Sequence, residues 1–307
     1  MIKTTASQAP DGAYCSLDRM LSAQGAAKEL ALFSNRPARS RLLGESRSRF
    51  RGRGMEFEEA RPYAPGDDVR TIDWRVTART GIAHTKLFRE ERERPVHILV
   101  DQRSTMFFGS DHWFKSAWAA EAATLAAWSA LQNADRIGGQ IIGDSNEADV
   151  RARRSRHAVL GFIRELNRLN HMLGGKPESA PTLASMLEEC RRLGKPGTTI
   201  FIFSDFLDFD EDCRKTLTLM GRHCDLCLFQ VRDPLELELP AVGSSMISNG
   251  RERMRAQLQG ATLRRLRQQL EQQQELLKQA THSARGRLLL ADLEQSPLAY
   301  LRGVFGK

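Results

Sequence analysis

No stretch of the 307-residue chain approaches the roughly 18–20 consecutive apolar residues that a membrane-spanning helix needs, so helical membrane insertion is not expected. The opening residues carry Asp11, Asp18 and Arg19 and lack the apolar core of a secretory signal, which makes the cytoplasm the expected location. Cysteines number five (Cys15, Cys190, Cys213, Cys224, Cys227), too few and too scattered for a disulfide framework, which fits a reducing compartment. Cys224 and Cys227 have the spacing of a redox or zinc knuckle. Residues three apart in a strand point to opposite faces, however, and no second pair completes a tetrahedral site, so these read as structural thiols. The seven histidines never fall into a His-Glu-x-x-His pattern, which leaves a zinc hydrolase without support. Gly174-Gly175-Lys176-Pro177 lacks the spacing of a phosphate-binding loop, and nucleotide hydrolysis by the chain itself is not expected. There is no internal repeat.

What remains is a globular composition, 41% hydrophobic and 27% charged. The net charge of +8 is unevenly placed. Arginines at 36, 39, 41, 47, 49, 51 and 53 face only Glu45 within their own stretch, but Glu56, Glu58, Glu59, Asp67, Asp68 and Asp73 follow at once. Much of that charge is expected to be neutralised internally, with a partner site as the next reading and nucleic acid as the last. One amphipathic helix is predicted over residues 17–33 behind a polar start, giving residues 1–36 as tail and helix. Residues 37–94 form an irregular, arginine-rich extension, with a strand over 82–88, expected to pack on the main domain because its apolar residues are too few for a core of their own.

From residue 95 to 307 strands alternate with helices. Apolar strands are predicted at 96–100, 137–142, 198–203, 224–231 and 287–293, and helices at 113–131, 159–169, 183–193, about 254–280 and after Pro297. Continuous apolar strands separated by helices predict an α/β fold, a doubly wound and mostly parallel sheet covered on both faces. Such sheets gather ligands beyond the carboxyl ends of their strands. Two strands end there in carboxylates, Asp101 and Asp205, with Ser104 and Thr105 after the first and Ser204 before the second. Thr182, at the start of the helix between them, either caps that helix or faces the same rim. Oxygen donors of this kind suit Mg²⁺; the plainer reading is that both aspartates cap the helices that follow.

Asp101-x-Arg103-x-Thr105, the distant Thr182 and the later Asp205 resemble the metal-ion-dependent adhesion site of von Willebrand factor A domains. The front segment is more specific. Gly52-Arg53-Gly54-Met55-Glu56-Phe57, then Arg61-Pro62-Tyr63-Ala64-Pro65-Gly66-Asp67-Asp68-Val69-Arg70-Thr71-Ile72-Asp73-Trp74 and Ala78-Arg79, resembles the signature of the domain of unknown function fifty-eight family. The resemblance implies a von Willebrand A-like, chaperone-like or adaptor protein working with a MoxR-type AAA+ ATPase on a client protein. It places the partner-binding rim at Arg103, Ser104, Ser204 and Asp205, and a degenerate metal site at Asp101, Thr105, Thr182 and Asp205.

Arg103 departs from the metal-site pattern, because a guanidinium has no lone pair to give a cation and repels one nearby. Turned inward, it bridges Asp101 and Asp205 in place of the ion and no cofactor is held; turned outward, it leaves a weak Mg²⁺ site. In the front segment, Asp67, Asp68 and Asp73 are expected to pair with Arg61, Arg70, Arg75 or Arg79 in a buried network, with Trp74 as a core anchor. Two other classes compete. Asp101 and Thr105 fit part of a haloacid-dehalogenase phosphatase motif, with Asp205, Asp208, Asp210 and Asp212 as metal carboxylates, although Arg103 replaces the general acid. Nucleic-acid binding through Arg36–Arg53 lacks interleaved aromatics beyond Phe50.

Overall fold

The computed structural model describes residues 12–32, 55–90, 95–174, 180–237, 245–248, 253–256 and 260–306; the Arg36–Arg53 run lies outside them. In chain order the elements are α1 (Leu17–Ala26), β1 (Met55–Pro62), α2 (Trp74–Thr80), β2 (His84–Glu90), β3 (Pro95–Gln102), α3 (Lys115–Gln132), β4 (Arg136–Gly143), β5 (Glu147–Arg153), α4 (Arg156–Asn170) and α5 (Leu183–Leu193). There follow β6 (Thr199–Ser204), α6 (Glu211–Met220), β7 (Asp225–Arg232), α7 (Pro234–Leu237), β8 (Ser245–Ser248), β9 (Arg253–Ala256), α8 (Gly260–Ser283), β10 (Arg287–Asp292) and α9 (Pro297–Phe305). The chain divides into two compact units, residues 40–93 and the remainder.

The larger unit is built on a six-stranded sheet of order β10-β7-β6-β3-β4-β5, in which β5 alone runs antiparallel to its neighbour. Its central strands are buried along nearly their whole length, as parallel strands covered on both faces must be. Alternate side chains divide between two cores. Val96, Ile98, Val100, Phe201, Phe203 and Phe229 meet Met20 of α1, Trp118 and Trp128 of α3, Phe162 of α4 and Leu301 of α9. Leu99, Ile200, Ile202 and Leu228 meet Leu187 of α5, Leu217 of α6 and Leu277 of α8. The fold is α/β with a mostly parallel sheet, and α1 belongs to this unit, packed against α3.

Helix α3 is apolar around most of its circumference because small alanines let it lie close to the sheet. Close approach also explains one glycine of β4. A β-carbon at Gly139 would stand 2.3 Å from the Ile98 carbonyl oxygen and 2.8 Å from the Phe162 ring, so any side chain there would push α4 off the strand. Among the elements that escaped the periodicity are β5, an edge strand whose exposed positions are charged, and α6, which Asp210 starts by accepting the Cys213 N–H. The predicted helix from residue 254 begins instead at Gly260, since residues 253–256 form β9 and pair with β8. Cys227 and Cys224 pack against opposite cores, and burial pushes both thiols up, to about 12 and about 11.

In the smaller unit β1 and β2 pair antiparallel. The expected buried acid–arginine network is corrected here. Asp68 and Asp73 are used as caps, accepting backbone N–H groups at the starts of a 3₁₀ turn and of α2, while Arg61 pairs with Asp67 at 2.7 Å at a partly exposed position. Trp74 is no core anchor: it is 70% exposed.

Between α1 and α3, Arg19 Nη1 lies 3.6 Å from Glu121 Oε1. Burial outweighs the attraction of Arg19 and pushes the Glu121 carboxyl up to about 7, from an ordinary 4.5. A carboxyl that binds its proton more tightly when folded contributes stability that is complete below pH 4.5 and is lost as pH rises through 7. Urea denaturation of Glu121→Gln should therefore match the native chain near pH 4.5 and exceed it by about 1–3 kcal/mol near pH 8. An equal difference at the two pH values would refute this role.

Candidate functional site

The carboxyl ends of β3, β6 and β7 lie side by side, since the three strands are parallel neighbours. From β3 come Asp101 and, just beyond it, Arg103; from β6 come Ser204 and Asp205; from β7 comes Asp233. Their side chains form a buried layer of charges, each held by partners from another element.

Arg103 is turned inward. Its Nε and Nη2 donate to the two carboxylate oxygens of Asp101 at 3.0 and 2.8 Å, and its Nη1 and Nη2 donate to those of Asp208 at 2.7 and 2.9 Å. Nη1 also donates to the Pro181 carbonyl at 3.0 Å, which uses all five guanidinium donors. Burial opposes the charge on Arg103, but Asp101 and Asp208 overcome it and raise its affinity for the proton. Asp208 in turn is held below the usual carboxylate range: burial works against its charge, but hydrogen bonding to Arg103 prevails. The second carboxylate is therefore Asp208 and not the expected Asp205. The reason lies in the turn after β6, where Phe206 adopts a left-handed backbone conformation (φ 56°) and its N–H donates to Ser204 Oγ. The chain then doubles back and brings Asp208 to the start of α5, where it also accepts the Leu183 N–H at 2.9 Å.

Asp205 has its own cation, one the sequence reading missed. Lys115, the first residue of α3, donates from Nζ to Asp205 at 3.0 Å and to Glu236 at 2.6 Å, and lies 5.8 Å from the centroid of the Phe108 ring. Burial lowers the proton affinity of this ammonium, but the two carboxylates raise it by more, so Lys115 stays charged. The available signal was a single lysine opening an alanine-rich helix whose one other charged residue is Glu121. Beside it, Asp233 accepts the backbone N–H and the hydroxyl of Ser110 at 2.7 and 2.6 Å.

The other expected site residues are placed as follows. Thr182 caps α5, accepting the Ser185 N–H at 3.2 Å. Thr105 Oγ1 is buried with no hydrogen-bond partner. Ser204 donates to Asp101 at 2.7 Å, and Ser104 binds Asp144 through its N–H and hydroxyl. Arg103, Ser204 and Asp205 are buried, so direct partner contact through them is corrected: they form the floor of the rim. Each loop exposes one large apolar residue, Phe108 after β3, Leu207 after β6 and Leu235 after β7, alongside exposed Asp111, Asp208 and Asp210. A divalent cation does not fit these donors as arranged. Both oxygens of Asp101 are bonded to Arg103, Asp205 is paired with Lys115, and Thr105 alone keeps an unused hydroxyl. Among the described residues no cluster of His, Cys, Asp or Glu could hold a metal, and no helix is long and apolar enough to cross a membrane.

A family model described as "Protein of unknown function DUF58" matches residues 59–280. An uncharacterized protein of Mycobacterium bovis is 29% identical over 208 residues, and one of Mycobacterium tuberculosis matches equally. The match covers 68% of this chain and 64% of the length of either relative. Among solved structures, the conserved hypothetical protein BatB of Bacteroides thetaiotaomicron has a TM-score of 0.45 at 9% identity, covering 69% of this chain and 97% of that one. A protein of Bacteroides fragilis described as an aerotolerance-related membrane protein has a TM-score of 0.41 at 9% identity, over 68% and 97%.

Truncating Arg103 would strand two carboxylates, one of them fully buried. Arg103→Met should cost about 3–5 kcal/mol in chemical denaturation, and Arg103→Lys should recover only part, because an ammonium has three donors where the guanidinium uses five and cannot meet both carboxylates bidentately. A loss below about 1 kcal/mol for Arg103→Met would contradict the role assigned to this ion pair.

Proposed function

We propose that this chain, which belongs to the family described as protein of unknown function DUF58, is a non-enzymatic interaction module of von Willebrand A-like architecture. It offers the carboxyl edge of its sheet to a protein partner. The observation that carries this reading is the make-up of the rim: its loops expose Phe108, Leu207 and Leu235, while the buried charges at the strand ends are paired from within the chain. Apolar side chains gain by being covered, and buried charges already paired within the chain add little desolvation cost, as at an interface centre. The partner favoured by the family resemblance is a MoxR-type AAA+ ATPase, which would supply the energy for action on a client protein.

The same packing speaks against the phosphatase reading. A nucleophilic aspartate must present a free oxygen to phosphorus. Asp101 is wholly buried, with its oxygens bonded to Arg103 and Ser204. The interaction module works, in this reading, without a metal, because Arg103 supplies the positive charge that an ion would bring.

Two experiments test these points. Leu207→Glu and Leu235→Glu place charges at exposed positions and should each reduce capture of a nucleotide-locked MoxR-type ATPase by about tenfold, with unchanged melting temperature. Capture at the native level by both variants would move the interface elsewhere. In calorimetric titration with Mg²⁺ the native chain should give no heat and no thermal shift. Arg103→Ser, which frees Asp101 and Asp208 and adds a hydroxyl, should gain a Mg²⁺-dependent rise in melting temperature; micromolar Mg²⁺ binding by the native chain would overturn the metal-free reading.

A further inference from the structure

The smaller unit carries an apolar and basic patch that its own fold leaves uncovered. On α2, residues four apart share a face. Val76 and Thr77 are half-buried, and the Thr77 hydroxyl accepts the His84 N–H at 3.0 Å. Trp74, Arg75, Ala78 and Arg79 are all exposed and make up the outward face. Ile82 follows directly after Gly81 ends the helix with φ 73°, and Val69 and Arg70 lie in the 3₁₀ turn that leads into it. Trp74, Val69 and Ile82 are 70%, 63% and 62% exposed, well above the other large apolar residues among those described. Nothing in the local fold requires this. The Asp73 cap and the Gly81 terminator define the helix without Trp74.

The charges around the patch identify what would cover it. Within the unit Asp67 is paired with Arg61, and Asp73 lies 3.8 Å from Lys86. Arg70 and Arg79 form no ion pair among the described residues. Arg75 forms no ion pair among the described residues either, and the oxygen of neighbouring Asp73 accepts two backbone N–H groups. We propose that this face is a docking surface for a protein segment that is both acidic and apolar, with Trp74 as its anchor and Arg70, Arg75 and Arg79 as its charged frame. Tryptophan and arginine are the residues in which interface energy concentrates, and a ring of arginines excludes basic partners as strongly as it favours acidic ones. A second copy of the chain fits poorly, since a two-fold contact would set arginine against arginine. The arginine-rich stretch from Arg36 to Arg53 carries the same sign of charge and is not complementary either. The aliphatic neighbours Val69 and Ile82 favour apolar protein side chains over stacked bases, which call for further aromatic platforms.

The test uses the full-length chain and a random short-peptide library, panned in parallel on the native protein and on Trp74→Ala. Because Trp74 is exposed, the variant should melt at the native temperature. Peptides retained by the native chain and lost by Trp74→Ala should be enriched in Asp and Glu together with Leu, Ile or Phe. Synthetic copies should bind at least tenfold more weakly to Trp74→Ala and to the double variant Arg75→Glu/Arg79→Glu, while Leu207→Glu at the sheet rim binds them as the native chain does. The proposal is overturned if the two pannings return the same peptides, or if the Trp74-dependent peptides are basic. It is also overturned if oligothymidylate, anionic phospholipid vesicles or self-association measured by sedimentation shows the dependence on Trp74 instead.

Discussion

One guanidinium group holds the carboxyl edge of the sheet together. Arg103 grows from the end of β3, grips Asp101 on the same strand, reaches Asp208 in the loop after β6 and touches Pro181 at the entrance to α5. Three segments far apart in sequence are thereby fixed to one planar group whose five donors are all used. Burying such a charge costs several kcal/mol unless every donor and both carboxylates are matched, and the matching dictates where the loops can go. Lys115 repeats the arrangement one strand over, drawing Asp205 and the start of α7 to the first residue of α3. The two clusters are linked through adjoining residues, because Ser204 binds Asp101 and the next residue binds Lys115.

With the buried charges paired within the chain, the loops can expose apolar residues without stranding a charge. Phe108 makes the link most directly, since its ring lies over the ammonium of Lys115. The left-handed turn at Phe206 serves the same end: it buries the Phe206 ring in one core and leaves the next residue, Leu207, exposed. A non-glycine residue in that conformation carries strain of order 1 kcal/mol, tolerated here because the ring is enclosed on the β6 side of the sheet.

Much of this fold was legible because buried parallel strands must be predominantly apolar, and β3, β4, β6 and β7 are. Arg103 was legible as a group that cannot ligate a metal, since that follows from its chemistry alone. Which carboxylate it would take was not legible: Asp208 lies beyond the strand, and its arrival depends on the turn at Phe206, which no composition announces. Lys115 was hidden for a related reason. Its partners, Asp205 and Glu236, come from distant parts of the chain. Strand β5 was missed because an edge strand with one charged face looks like a loop, and Trp74 was misread because an aromatic residue in an apolar-poor segment suggests a core. The charges of Asp68 and Asp73 implied a buried network, but their use as caps removed them from it.

The order of the units along the chain has a consequence for assembly. Helix α1 packs against α3 although the whole of residues 40–93 intervenes. The smaller unit is thus an insertion, a long loop seen from the larger one, whose body closes only when the segments on either side of it meet. The entropy of closing a loop grows with the logarithm of its length, by about 0.6 kcal/mol for each doubling. A folded insert shortens the effective loop further, because paired β1 and β2 set residue 90 beside residue 55. The body is therefore nearly indifferent to how much chain the insert contains, provided its ends return together, and the inserted unit can change in size and surface at little energetic cost to the sheet that carries it.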